Sequence, residues 1–141
     1  MLLAAGATVC LGTDGFYNVA QQMTLAPILQ NVAQRNPSAF GGSLQMVYGH
    51  NAALAEQTFG LPFGRVAPGY AADLLLLPYD PTTPAHAGNL GAHLSAALAG
   101  GPRDVIIGGR MRVRQGRVLG ADVAVIKAEA RRRAAALWER L

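Results

Sequence analysis

An α/β chain is predicted from three features of the sequence. An apolar stretch closes on Gly12-Thr13-Asp14-Gly15, two later stretches carry apolar residues at spacings of three and four, and a late run alternates arginine with apolar side chains. The order is a strand, then helices, then a small β-rich part with a final helix.

Residues 7–11 read as a short buried strand, stopped where Gly12 and Gly15 let the chain turn without a side-chain clash. Thr24 is placed to cap a helix with Leu25, Ile28, Leu29 and Val32 on one face. Pro27 is tolerated there because it would fall in the first turn, and Arg35-Asn36-Pro37 ends the helix. Gly41 and Gly42 lead to Ser43, a second N-cap candidate, followed by Leu44, Val47, Asn51, Leu54 and Thr58 on one stripe up to Gly60. These helical faces need something to pack against.

From Leu61 the texture changes, with Gly64, Pro68 and Gly69 preceding residues 73–77, whose leucine run suits a strand buried on both faces. Pro78, Pro81 and Pro84 enforce a loop, and residues 89–99 form a short helix. Residues 104–107 and 110–113 then read as a hairpin turned by Gly108-Gly109, and Gln115-Gly116 makes a second turn into residues 117–119. In the middle strand Met111 and Val113 face one way and Arg110, Arg112 and Arg114 the other, so one side of the sheet is wet. The last helix starts after Asp122 and aligns Val123, Ile126, Ala130, Ala134, Leu137 and Leu141 on a packing stripe, with Glu129 four residues before Arg133.

The 141 residues suit one ordinary domain, yet 51% are hydrophobic and 14% charged, against roughly 25% charged in an average soluble domain. That surplus points to a neighbouring domain or subunit, and a homo-oligomer is expected. No apolar run reaches the roughly 18 to 20 residues that span a bilayer, and the apolar opening lacks a basic leader region; no membrane association is expected and the cytoplasm is the default compartment. Cys10 is expected to be a buried, reduced thiol. The net charge of +4 is concentrated late in the chain without interleaved aromatic residues, so nucleic acid is not an expected partner.

Among residues that could carry chemistry, Asp14 leads, because an acid directly after a hydrophobic strand stands where α/β barrels assemble their active sites. Its carboxylate could bind a cation and accept a proton from metal-bound water. Taken by itself, strand-Thr-Asp-Gly reads first as a common structural turn, with the cation-binding carboxylate as the alternative. His50, His86 and His93 lack ligand spacing and are expected to satisfy local hydrogen bonds. Asp73 is expected to be a structural acid bonded to backbone N–H groups of the preceding turn. Neither a nucleophile elbow nor a phosphate-binding glycine loop is present.

Leu11-Gly12-Thr13-Asp14-Gly15 resembles the end of the eighth barrel strand in the aminohydrolase and chlorohydrolase branch of the amidohydrolase superfamily. Asn51-Ala52-Ala53 through Phe59-Gly60 looks like the family's passage from barrel to small β-domain, as do Gly64-Arg65-Val66-Ala67-Pro68-Gly69 and Ala71-Ala72-Asp73-Leu74-Leu75. Asn89, His93-Leu94, Val105-Ile106-Ile107-Gly108-Gly109-Arg110 and Leu137-Trp138 continue in the same order. The resemblance implies an α/β fragment: residues 1–60 are the last strand and closing helices of a TIM-like (β/α)8 barrel, and residues 61–141 a small composite β-domain with a C-terminal helix. A whole barrel takes about 250 residues, so roughly two thirds to three quarters of the enzyme would lie upstream of Met1.

The resemblance further implies a divalent metal, zinc with iron as the alternative, and hydrolysis of a non-peptide C–N bond in a nitrogen heterocycle by metal-activated water. Asp14 would serve as both metal ligand and proton shuttle, with the remaining ligands absent from this sequence. Phe16 and Tyr17 are pocket candidates only by following Asp14 on the loop, since no family motif fixes them as contacts. The contrasting expectation is a non-catalytic β-domain serving subunit association, with Asp14 an ordinary turn residue.

Overall fold

The computed structural model describes residues 2–15, 18–38 and 42–140. Phe16, Tyr17, Gly41 and Leu141, which carried expectations above, lie outside the described residues.

Helix α1 spans Val19–Gln34, starting earlier than the sequence suggests: Asn18 is the N-cap, its side chain accepting from the Ala20 N–H at 2.9 Å. Thr24 therefore sits inside the helix, its hydroxyl donating back to the Ala20 carbonyl, and Pro27 is interior rather than in the first turn. The helix ends at Arg35, which adopts φ 50°. The Arg35 N–H reaches the Val32 carbonyl at 3.1 Å and the Asn36 N–H the Asn31 carbonyl at 3.0 Å, a Schellman closure made without glycine.

The next helical rod contains a π-helix, Gln45–Asn51, that runs directly into α2, Ala52–Phe59. Ser43 lies within the rod and is no cap, since the Met46 N–H bonds to the Gly42 carbonyl. Gly60, at φ 68°, closes the helix as expected and donates to Glu56. Past this cap, Phe63 meets Phe59 edge-on at 6.1 Å, the Ala71 N–H bonds back to the Pro62 carbonyl, and Gly64 presses against the rod. A Cβ at Gly64 would stand 2.8 Å from the Ala52 Cβ and 3.2 Å from the Tyr48 carbonyl oxygen.

Helix α3, Leu90–Ala99, packs on α1. Gly91 allows the Leu44 side chain to come close; a Cβ there would lie 3.2 Å from it. Met23, Met46, Ala97 and Leu98 are the buried apolar side chains of the described chain.

The sheet is a four-stranded antiparallel meander: β1 Leu74–Leu76, β2 Asp104–Ile107, β3 Arg110–Arg114 and β4 Arg117–Val118, neighbours in that order. Leu75 pairs with Val105, Val105 with Val113 and Val113 with Val118. Gly108 and Gly109, both at positive φ, turn the hairpin as expected, and β3 shows the anticipated alternation, with Met111 and Val113 half-buried and the three arginines exposed. β1, however, is an edge strand among the described residues. Leu75 is 54% exposed there, which corrects the expectation of burial on both faces.

Three further expectations are overturned. Residues 7–11 are not a strand, for no described strand lies beside them to supply a ladder, and Cys10 is exposed. Helix α4, Val123–Trp138, is capped by Asp122 as predicted, but its apolar stripe is uncovered: Ile126 is 57% and Leu137 48% exposed.

Gly64 combines φ +83° with backbone and Cβ contacts on the helical rod, so Gly64→Ala is expected to destabilise the chain by about 1–3 kcal/mol. Urea unfolding measures it; an unchanged midpoint would show that the loop does not bear on the rod.

Candidate functional site

The segment leading to Asp14 is held by two consecutive side chains of the helical rod. The Asn51 Oδ1 accepts from the Leu11 N–H at 3.0 Å, while the Asn51 Nδ2 donates to the Leu11 carbonyl at 2.8 Å. One planar amide thus occupies both polar groups of one residue, as a neighbouring strand would. His50 Nδ1 stands 2.9 Å from both the N–H and the carbonyl oxygen of Val9. Val9 and Leu11 face the same way, as alternate residues of an extended chain do.

Beyond Leu11 the chain reaches the Asp14-Gly15 turn, where Asp14 takes φ 48°, a left-handed conformation that aspartate tolerates better than most residues. The Asp14 side chain is exposed, and among the described residues it makes no hydrogen bond or ion pair. A groove of about 420 Å³ opens beside the latch, lined by Cys10, Leu11, Gly12, Asn51, Leu54 and Phe59 among others; Asp14 does not line it.

Each histidine has a hydrogen-bond partner, but only His86 finds it locally as the sequence suggested; the partners of His50 and His93 are distant in the chain. His50 holds Val9, and His86 Nδ1 accepts from the Gly88 N–H at 3.1 Å. His93 is buried, its Nδ1 2.7 Å from the Tyr79 hydroxyl and its ring edge-on to that phenol. Asp73 is a structural acid, although its partner differs from the expected one. Its Oδ1 accepts from the Gly108 N–H at 2.6 Å, in the β2–β3 turn and not in the turn preceding Asp73.

Sequence reasoning passed over Asp104, a buried carboxylate. Its Oδ1 accepts from the Gln115 N–H at 2.7 Å and its Oδ2 from the Arg103 Nε at 2.8 Å, so it clamps the β3–β4 turn, where Gln115 adopts φ 49°. The Gln115 amide first, and then the Arg103 side chain, hold the Asp104 carboxyl below the usual carboxylate range. It also passed over the Asn51 latch, whose signal was a polar residue on an otherwise apolar helical stripe.

No family model matches the chain, and no solved structure matches it significantly. Curated relatives do. It is 34% identical over 98% of its length to a 5-methylthioadenosine/S-adenosylhomocysteine deaminase of Natronomonas pharaonis, of which it covers 33%. It is 35% identical over 99% of its length to the protein of that name in Pelotomaculum thermopropionicum, again covering 33%. A 5'-deoxyadenosine deaminase of Methanocaldococcus jannaschii is 29% identical over 86% of the chain, which covers 30% of it. The chain is homologous to deaminases of the amidohydrolase superfamily. It spans about a third of the length of these relatives.

The described part of this deaminase homologue is a small antiparallel sheet with flanking helices and does not close a barrel. No helix among the described residues is long and apolar enough to cross a membrane. Against the divalent metal implied by the resemblance, the donor set falls short. No three His, Cys, Asp or Glu side chains come together among the described residues, so on their own they do not fit a metal.

Because the lowered Asp104 group is an acid, its contribution to stability is full above the ordinary value of 3.8 and is lost as pH falls through its depressed value. Glu129, bonded to Arg132 and Arg133 on α4, behaves alike, its pKa held down to about 2. The Gln115 amide resonance is therefore expected to titrate with a midpoint below pH 3.8. A midpoint at or above that value would mean that the clamp does not form.

Proposed function

We propose that this chain is the C-terminal part of a metal-dependent hydrolase of non-peptide C–N bonds, a deaminase of an amino-substituted nitrogen heterocycle, inactive until the rest of the barrel is supplied. The observation that carries this reading is homology along nearly the whole chain to proteins named as deaminases, each matched over only about a third of its length. In this reading residues 1–60 are the closing helices and the last barrel strand, residues 7–11 becoming a strand only when neighbouring barrel strands pair with them, and residues 61–141 are the composite β-domain with its terminal helix. The likeness of Leu11-Gly12-Thr13-Asp14-Gly15 to a barrel-strand end supports the former.

The relatives' names support a 6-aminopurine nucleoside with a modified 5' position as the substrate class. The reaction adds water across the amino-bearing carbon and releases ammonia, leaving an oxo group in place of the amine. Asp14 is the one carboxylate that this chain would contribute to the metal site, zinc or alternatively iron, whose other ligands would come from outside the chain. Phe16 and Tyr17 would line the pocket. The enzyme would act in the cytoplasm as a homo-oligomer, with neither nucleic acid nor membrane as partner.

A second reading, a non-catalytic domain for subunit association, is favoured by the uncovered stripe of α4 and the open edge of β1. The two are separated by substituting the whole chain for the matched third of the Pelotomaculum relative and following ammonia release from 5-methylthioadenosine, the substrate in that relative's name. Activity in the chimera, lowered at least about 100-fold by Asp14→Asn, is expected from loss of a catalytic-site carboxylate. A folded chimera without activity, or one indifferent to Asp14→Asn, would leave the association reading standing.

A further inference from the structure

We propose that Asn51 is a positioning residue for Asp14, acting through the backbone of Leu11, with His50 steadying the same segment at Val9; this rests on the assignment of Asp14 above. Asp14 has no hydrogen bond of its own among the described residues, so its location is set by the backbone that carries it. That backbone is anchored three residues upstream, where the Asn51 amide pairs with both polar groups of Leu11 at 3.0 and 2.8 Å.

The pairing selects a register. Successive residues of an extended segment turn their N–H and C=O groups to opposite sides, so Cys10 and Gly12 cannot offer theirs to the rod while Leu11 does. A slip by one residue would break both bonds at Asn51 and both close approaches at Val9. The Asp14 turn is thereby held at one distance from the rod.

The helical irregularity has its reason here. Consecutive residues of an α-helix, at 3.6 per turn, diverge by about 100°, too far for both to address one strand squarely. The wider i→i+5 turn of a π-helix narrows that angle; such turns are rare overall and frequent at functional sites. The π-helix Gln45–Asn51 ends at the two residues that hold Val9 and Leu11. The amide of Asn51 has no catalytic chemistry to perform; its effect on turnover would pass through the location of Asp14 alone.

The test uses the same chimera, with amide hydrogen exchange alongside kinetics. Asn51→Ala is expected to speed exchange at the Leu11 amide at least about 10-fold and to lower kcat about 10- to 100-fold, as small misplacements of reacting groups do. KM for 5-methylthioadenosine and protection of the β2–β3 amides should stay unchanged. Asn51→Asp, nearly isosteric, keeps an acceptor for the Leu11 N–H but opposes the Leu11 carbonyl with a charged oxygen; an intermediate kcat is expected, and this variant decides if Asn51→Ala does not fold. Wild-type kcat with a freely exchanging Leu11 amide overturns the positioning role, as does a loss confined to global stability. If Asp14→Asn is fully active, the reading of Asp14 fails, and this inference falls with it.

Discussion

The side-chain amide of Asn51 does for the opening segment what a neighbouring strand would otherwise do. A segment ending in a turn has no means of holding its own position, since its N–H and C=O groups point sideways and find partners only in other parts of the chain. Each such bond is worth only about 1 kcal/mol net, yet the pair closes a span of 40 residues in sequence and leaves no freedom of register. His50 repeats the arrangement two residues earlier. The π-helix of residues 45–51 ends at these two side chains, and the Asp14 turn follows three residues beyond the Leu11 attachment.

The β-rich part is organised by the same physical device with different residues. Asp73 fixes the β2–β3 turn and Asp104 fixes the β3–β4 turn, each through a carboxylate oxygen accepting from a turn amide. Carboxylates suit this work because a charge-assisted bond to a backbone N–H is shorter and stronger than a neutral one. Gln115 gains most, since a non-glycine residue in the left-handed region is held there by the clamp on its own N–H. With the turns set in this way, a sheet of two- to five-residue strands holds its register around a small apolar interior.

That interior is small for so apolar a chain. Four apolar side chains are buried among the described residues, whereas Leu25, Val32, Leu75, Ile126 and Trp138 are open to solvent. Large apolar patches left in water mark contacts with other protein, membrane or ligand. Relatives about three times as long, matched along nearly the whole of this chain, are in keeping with that. The surplus read from composition and the uncovered faces in the structure are one fact seen at two levels.

Local chemistry was legible in the sequence. Gly60 as a helix stop, Asp122 as a cap, Gly108-Gly109 and Gln115-Gly116 as turns, and the alternation along β3 all stand where neighbouring residues dictate them, because dihedral preferences and periodicity act over a few residues. Ser43 and Thr24 misled for the same reason in reverse: each is a competent cap, but Gly42 and Asn18 open the helices earlier. What the sequence by itself determined was therefore the helices, turns and caps, the apolar surplus, and Asp14 at the end of an apolar segment. Only the tertiary structure decided that Asn51 and His50 hold that segment, that Asp73 reaches a turn 35 residues away and that residues 7–11 are not a strand. Those outcomes depend on which backbone groups the fold leaves without a partner, a property of the assembled chain that no short window of residues contains.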